Sequence, residues 1–284
     1  MAEWEAPAKI NLSLLVAPVD RSGYHPLRSL AQTIEWCDRL VVDEGDDDHL
    51  EVAGADLPET GDNLVWQAVA ALERRSRRRR PRLHVHLTKH IPVAAGLAGG
   101  SADAAAMLRA TGDLLGLEDE AITGAAGEVG ADVPFALLGG TAWMEGRGER
   151  LTRLPPLAGF AVAVVVPPME LATPAVFRRW DDLGGPVGDE VRATALPPAL
   201  RDLGPLRNDL TPAATSLAPE LADWMDELGT VWGRPVAMSG SGPATFAFFA
   251  DLDEATGAAS SIALAHRSVA AAELRRTGPG RLDR

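Results

Sequence analysis

Cysteine is almost missing from this chain of 284 residues, where Cys37 stands alone. A single cysteine rules out an internal disulfide and any zinc site built on several cysteines, and it suits a reducing compartment. Cys37 is expected to be a small buried apolar residue. Long apolar runs are missing too, none approaching the ~18 residues that suggest a membrane span. Glu3 and Glu5 stand where a secretory leader would carry a basic and then an apolar segment. The expectation is a cytoplasmic protein with no membrane partner. Basic charge is also short: 27 Lys and Arg against 40 Asp and Glu leave a net −13, which argues against a general nucleic-acid or membrane-surface binder. The one basic run, Arg74-Arg75-Ser76-Arg77-Arg78-Arg79-Arg80, follows the apolar-periodic stretch Leu64 to Leu72. It reads as a solvated helix C-terminus and lacks the interleaved aromatics of an RNA patch.

Lysine and tyrosine are nearly as scarce. Of the 27 basic residues only Lys9 and Lys89 are lysine. Guanidinium cannot replace a compact ammonium whose pKa responds to its surroundings, so both are candidates for chemistry, against the plain alternative of chance survival. That alternative is weaker for Lys9 than for Lys89. Tyr24, the single tyrosine, stands in Gly23-Tyr24-His25. No Gly-Lys pair exists, so the common phosphate loop ending in Gly-Lys-Ser/Thr is excluded.

What the chain has instead is the run Pro92, Val93, Ala94, Ala95, Gly96, Leu97, Ala98, Gly99, Gly100, Ser101, Ala102, followed by Asp103 and three alanines. Glycines let backbone turn tightly and approach a ligand, and Ser101 is placed to begin a helix whose free N–H groups and positive end favour an anion. A phosphate cradle is the expectation. A glycine-rich turn ahead of an ordinary Ala helix is the alternative.

The 46% apolar content can build substantial cores, and the length suits one large or two medium domains. Lys9 to Val16, Arg39 to Asp43 and Leu83 to Leu87 read as strands, with His84 and His86 sharing one exposed face. Leu64 to Arg75, Ser101 to Leu115 and Glu118 to Val129 read as helices, and Pro134 with its flanking glycines as a turn. Past residue 150 the pattern restarts, with strands at Phe160 to Val166 and Thr245 to Phe249. Helices are expected from Ser216 to Leu228 and from Asp253 to Ala265, and an irregular loop with at most one short helix from Asp181 to Leu206. An α+β enzyme of two domains follows, and the tail from His266 carries no readable pattern.

Three motifs then appear in a fixed order: Pro7-Ala8-Lys9-Ile10-Asn11-Leu12, the glycine loop, and Ser239-Gly240-Ser241-Gly242-Pro243. The chain resembles the GHMP small-molecule kinases. Gly23-Tyr24-His25-Pro26-Leu27, Gly130-Ala131-Asp132-Val133-Pro134 and Asn208-Asp209-Leu210 are similar to the branch whose acceptor is a cytidine-diphosphate-linked methylerythritol. The resemblance runs from Ala6 to about Phe249. It implies an N-terminal ribosomal-S5-like domain over 1–152 that binds ATP, and a C-terminal α/β sandwich over 153–284, with the site in the cleft between them. The implied reaction moves the ATP γ-phosphoryl group to a tertiary hydroxyl, in the non-mevalonate route to isoprenoid precursors. Either a monomer or a homodimer fits.

Phosphoryl transfer needs alignment, charge neutralisation and a partner for the attacking hydroxyl's proton. By resemblance Lys9 and Asp132 face that hydroxyl, with Asp132 accepting the proton or orienting the group and Lys9 holding Asp132 ionised. Otherwise Asp132 is a helix cap and Lys9 an edge-strand lysine. The resemblance wraps the loop Pro92 to Ala102 around ATP, with Ser101 capping the helix and within reach of Mg2+. It sets Asn63 and Lys89 near adenine and ribose. Asp103 complements the helix dipole. Asn11 is implied to hold the polyol, and Tyr24, His25, Thr173 and Phe177 the cytidine, although Phe177 also suits an ordinary core role. Ser239 to Gly242 forms a second glycine turn over the substrate phosphates, or braces the first, or simply precedes a buried strand.

One departure stands out. Ala98 replaces the first glycine of the family's Gly-Gly-Gly-Ser, which is tolerable only where its φ is negative. Another GHMP kinase, of homoserine or mevalonate type, and a non-catalytic ligand-binding relative are the rival readings. The Gly-Tyr-His segment separates the first, and the pairing of Lys9 with Asp132 the second.

Overall fold

A computed structural model describes residues 2–263 and 265–282. Its first half is built on two long antiparallel strands, β1 (Ala2–Val16) and β2 (Leu27–Gly45). β1 slips register between Pro7 and Lys9 and again between Asn11 and Ser13. Such bulges re-aim side chains next to functional sites, and here they bracket the two polar residues of the first motif. The sheet continues through β3 (His49–Ala53), parallel to β4 (Arg82–Thr88), with β4 antiparallel to β2. The first residues of β2 pair instead with β5 (Thr141–Gly146), which carries β6 (Arg150–Arg153).

Four helices cover one face: α1 (Leu64–Ser76), α2 (Gly99–Leu115), α3 (Asp119–Val129) and α4 (Val133–Leu138). Alanines 102, 104, 105 and 106 of α2 are buried. Their small side chains let this helix lie close to the sheet while α1 packs over it. Pro134 sits in the first turn of α4 rather than in a turn between elements, a place where a missing N–H costs nothing.

The second sheet runs β10 (Ser268–Ala272), β7 (Ala161–Val166), β9 (Thr245–Phe249), β8 (Ala237–Met238). Both faces of its central strands are covered. Val162, Val164, Phe246 and Phe248 meet Ile10, Leu12, Leu30 and Ile34 from the first sheet. Ala161, Ala163, Val165 and Phe249 face Leu228 and Trp232 of α7 (Glu220–Trp232) and Ala255 of α8 (Leu252–Ser260). Each fully buried large side chain in that shared core contributes about 1.5–3 kcal/mol. Two further helices, α5 (Thr173–Asp182) and α6 (Thr211–Leu217), pack together through Val176, Trp180, Ala213 and Ala214.

Several expectations need correction. The strand expected at Arg39 to Asp43 is the end of a much longer one. Helix Ser216 to Leu228 is two helices, separated at Ala218 and Pro219. The last helix stops at Ser260; Leu264, near its expected end, lies outside the described residues. The unreadable tail supplies two strands, β10 and β11 (Gly280–Leu282), and β11 returns to pair with β1. Cys37 is only partly buried, and its Sγ accepts a hydrogen bond from Arg275 at 3.5 Å. No described helix is long and apolar enough to cross a membrane.

Candidate active site

Between the two bulges of β1, Lys9 and Asn11 stand two residues apart and so point to the same side. Lys9 is buried, and its Nζ donates to Asn11 Oδ1 at 2.5 Å and to the Gly96 carbonyl at 3.5 Å. It lies 3.8 Å from Asp132 Oδ2. Asp132 directly precedes α4, yet its side chain makes no capping hydrogen bond, and 38% of it is exposed. The carboxylate therefore faces solvent beside a buried ammonium. Burial pushes the Lys9 pKa below its ordinary 10.5, and Asp132 offsets part of that shift.

The Asn11 side-chain amide donates to Ser29 Oγ at 2.7 Å, which fixes its orientation. The Asn11 backbone N–H donates to Ser239 Oγ at 3.2 Å, and Ser239 Oγ donates to the Gly96 carbonyl at 2.9 Å. The two glycine segments are thus joined. A Cβ on Gly96 would run into the Ser239 carbonyl oxygen, and one on Gly240 would come within 3.0 Å of the Gly96 carbonyl. The Ala244 N–H closes the contact by donating to the Ala95 carbonyl at 3.0 Å. Asn208 holds the second segment, its amide donating to the carbonyls of Met238 and Gly240 at 2.9 and 2.8 Å.

Within the first loop the structure departs from expectation. Helix α2 begins at Gly99, and Ala98 occupies the cap with φ of 56°. Ala94 is also left-handed, at 54°. Ala98 therefore violates the condition of a negative φ, and the loop carries strain that glycine would relieve. Ser101 lies inside the first turn and caps nothing, so no side chain satisfies the first N–H groups of α2.

Lys89 and Asp103 form a buried cluster beneath this loop. The Lys89 ammonium donates to Asp38 and, at 2.6 Å, to Asp103. Its Nζ lies 3.3 Å from where a Gly99 Cβ would be. Burial opposes the Lys89 charge, but the two carboxylates outweigh it and raise the pKa above 10.5. Burial pushes Asp103 up to about 8, with Lys89 pulling the other way. Asp103 is thus a partner of Lys89 rather than a solvated group at the end of a dipole. Asn63 is committed to α1, accepting from the Val65 N–H at 3.0 Å and donating to the Pro58 carbonyl at 2.7 Å.

A separate aromatic group forms around His25. Its ring stacks on Phe177 with centroids 5.3 Å apart and planes at 27°, and Trp180 meets it edge-on. Nδ1 donates to the Ala17 carbonyl at 3.0 Å, while Nε2 faces Asp181 Oδ2 at 3.2 Å. Tyr24 points elsewhere: 55% exposed, it lies under the Arg147 guanidinium at 3.6 Å. Helix α5 connects this group to the second glycine segment, because Thr173 hydrogen-bonds Ser241 at 2.8 Å and Phe177 follows one turn later on the same face.

Ser29, Asn208, Trp180, Asp181 and Arg147 join the site without having been expected in it from the sequence. Asn208 carried a signal, standing in one of the family motifs. The others had none, since their partners lie far away along the chain.

The sequence matches the family described as GHMP kinases N terminal domain over residues 63–140 and that described as GHMP kinases C terminal over residues 192–266. It is 39% identical over 264 residues to a 4-diphosphocytidyl-2-C-methyl-D-erythritol kinase of Corynebacterium efficiens, covering 86% of this chain and 83% of the relative. A crystal structure of 4-(cytidine 5'-diphospho)-2C-methyl-D-erythritol kinase matches with a TM-score of 0.79 at 34% identity, covering 96% of this chain and 98% of that one. Homoserine kinase from Cytophaga hutchinsonii gives a TM-score of 0.72 at 19% identity, covering 99% and 97%. At that identity the likeness is one of fold alone.

Proposed function

This chain belongs to the GHMP kinase family, and we propose that it phosphorylates the tertiary hydroxyl at the 2-position of 4-diphosphocytidyl-2-C-methyl-D-erythritol with ATP. The reaction belongs to the non-mevalonate route to isoprenoid precursors, and we assign it to the cytoplasm. We take residues 1–152 as the nucleotide-binding domain and residues 153–284 as the second domain, with Asn11, His25 and Asp132 of the first reaching the acceptor. The observation that carries the reading is Lys9 set 3.8 Å from the half-open Asp132 and against the Gly96 carbonyl, where a buried cation, an accessible base and a glycine loop meet.

The loop fits a triphosphate. Gly99 and Gly100 present backbone without side chains, and the first turn of α2 has no side-chain cap, leaving its N–H groups and dipole for phosphate oxygens. The Ser101 hydroxyl has no partner among the described residues. It is the group that would hold Mg2+, which when bound neutralises phosphate oxygens.

In the transfer, the acceptor oxygen bonds to the γ-phosphorus as the bond to the bridging oxygen breaks, and ADP departs. Asp132 takes the hydroxyl proton. Lys9 keeps Asp132 ionised and offsets charge gathering on the transferred group. Asn11 orients the polyol, while Asn63, engaged in capping α1, and Lys89, paired with Asp38 and Asp103, support the nucleoside side by holding its elements in place. His25 and Phe177 receive the cytosine, whose flat face suits a stack, with Tyr24 turned away toward Arg147, and Thr173 aligns the neighbouring loop.

The test is ADP release from Mg-ATP with 4-diphosphocytidyl-methylerythritol, homoserine or mevalonate in parallel. Turnover with the cytidine compound alone is expected, and turnover with either other acceptor would overturn the substrate reading. Asp132→Asn should lower kcat by about 10²–10⁴-fold with little change in affinity for a non-hydrolysable ATP analogue. A near-normal kcat would remove Asp132 from the role.

A further inference from the structure

The arginine run closing α1 lies at the opposite end of that helix from Asn63, roughly 20 Å along the axis at 1.5 Å per residue. It does not simply fan into solvent. Arg77, Arg78, Arg79, Arg80 and Arg82 line a cleft of about 540 Å³ with only Asp48 and Glu73 between them, leaving three positive charges in excess. Such a concentration is out of keeping with a chain of net charge −13.

The cleft is organised. Arg80 and Arg82 converge on Asp48 at 2.5 and 2.6 Å, and the Arg78 guanidinium is fixed by the Leu115 carbonyl at 2.7 Å. The Arg80 side chain is only 8% exposed, and its Nε has no hydrogen-bond partner among the described residues. Arg77 and Arg79 are exposed and make no side-chain hydrogen bond or ion pair among the described residues. Arg77 also holds the left-handed position that ends α1, with φ of 54°. Glycine would fit there without strain, so arginine occupies this turn against the local preference.

We propose that this cleft is a binding site for a small molecule bearing a diphosphate or longer oligophosphate, separate from the glycine loop. Two unpaired guanidinium forks and a buried unpaired N–H suit adjacent phosphates, which arginine can hold through paired N–H donors. The volume suits a compact ligand. A nucleic acid is the poorer fit, because the rest of the surface repels it. Among the described residues lining the cleft and the groove beside it, Trp66 is the one aromatic, and the Arg80 guanidinium already covers it at 5.5 Å.

The experiment is isothermal titration of inorganic diphosphate into the full chain, with the glycine loop first saturated by a non-hydrolysable ATP analogue and Mg2+. One site is expected, its affinity falling as salt rises. The double variant Arg77→Gly with Arg79→Gln relieves the strained turn and breaks no contact, so it should remain folded by circular dichroism and weaken binding at least tenfold. Lysine at both positions should restore part of it, as point charges without the fork. Absence of binding to the parent chain would overturn the proposal, as would equal binding to the double variant. A response to single-stranded RNA with none to diphosphate would overturn it in favour of a nucleic-acid surface.

Discussion

Lys9 and Lys89 are both buried, yet their surroundings drive them apart. For Lys9 burial dominates over the single carboxylate of Asp132 and lowers the pKa from 10.5. For Lys89 two carboxylates overcome burial and raise it. Because the chain has no other lysine, carbon NMR of the lysine ε-methylene groups should give two resonances that titrate on opposite sides of 10.5. In the Asp132→Asn variant the earlier one should move earlier still, since the carboxylate that raised it is gone. Titration at one common pH would refute this account. The sign has a consequence for folding. A charged Lys9 costs stability at neutral pH, and that cost is relieved as pH rises through its folded pKa toward the unfolded value. Rarity made Lys9 legible in the sequence, but the Lys89 partner Asp38 lies 51 residues away, where spacing says nothing. Ala98 stood out as a departure from the family's glycine, but its positive φ could not be read from alanine itself. Replacing it with glycine should stabilise the chain by about 1 kcal/mol in urea unfolding, the left-handed penalty for an L-residue less the entropy glycine loses. A destabilised variant would mean that the Ala98 methyl packs usefully.

At the scale of elements, α5 is the one that joins two jobs. Its first turn holds the second glycine segment through Thr173 and Ser241, and its next turn offers Phe177 to His25. We expect Phe177→Ala to raise KM for the cytidine substrate by roughly 5- to 150-fold, the range set by about 1–3 kcal/mol per stacked base, with KM for ATP nearly unchanged. Loss confined to the ATP side would displace the base pocket from this helix. Phe177 was named only through the family resemblance, and the helix carrying it was not expected, although Pro174 in its first turn is a helix-opening signal. The long β2 was not legible either, since the polar Gln32 and Asp38 stand at buried positions of its alternation, satisfied by Thr141 and the buried Lys89. The small residues of Ser268–Ala272 likewise reveal no strand, because that edge is defined by its pairing with β7.

Across the whole molecule, the end of the chain is a tie rather than a tail. After β10 completes the second sheet, Arg275 N–H donates to the Thr33 carbonyl at 2.8 Å and β11 lies along β1. The Arg275 guanidinium donates to Glu5 at 2.7 Å and Glu35 at 2.9 Å beside the Cys37 thiol. Glu5, Glu35 and Cys37 lie close enough together to hold a metal ion, but the guanidinium already fills the space between them. Burial pushes the thiol up to about 12 while Arg275 works against that shift, so Cys37 should react slowly with a disulfide reagent at pH 8. Arg275→Met removes the cation and leaves two carboxylates facing each other. Its side chain is 10% exposed, against 25% for Glu5 and 44% for Glu35, so the loss falls below that of a fully buried pair, at about 1–3 kcal/mol in urea unfolding. The thiol pKa should not fall, because the one group lowering it has gone. Faster labelling of Cys37 in this variant would therefore report opening of the strand ends, with the rate rising in parallel with lost stability. Unchanged stability would mean that the last strand, not Arg275, holds the chain end in place.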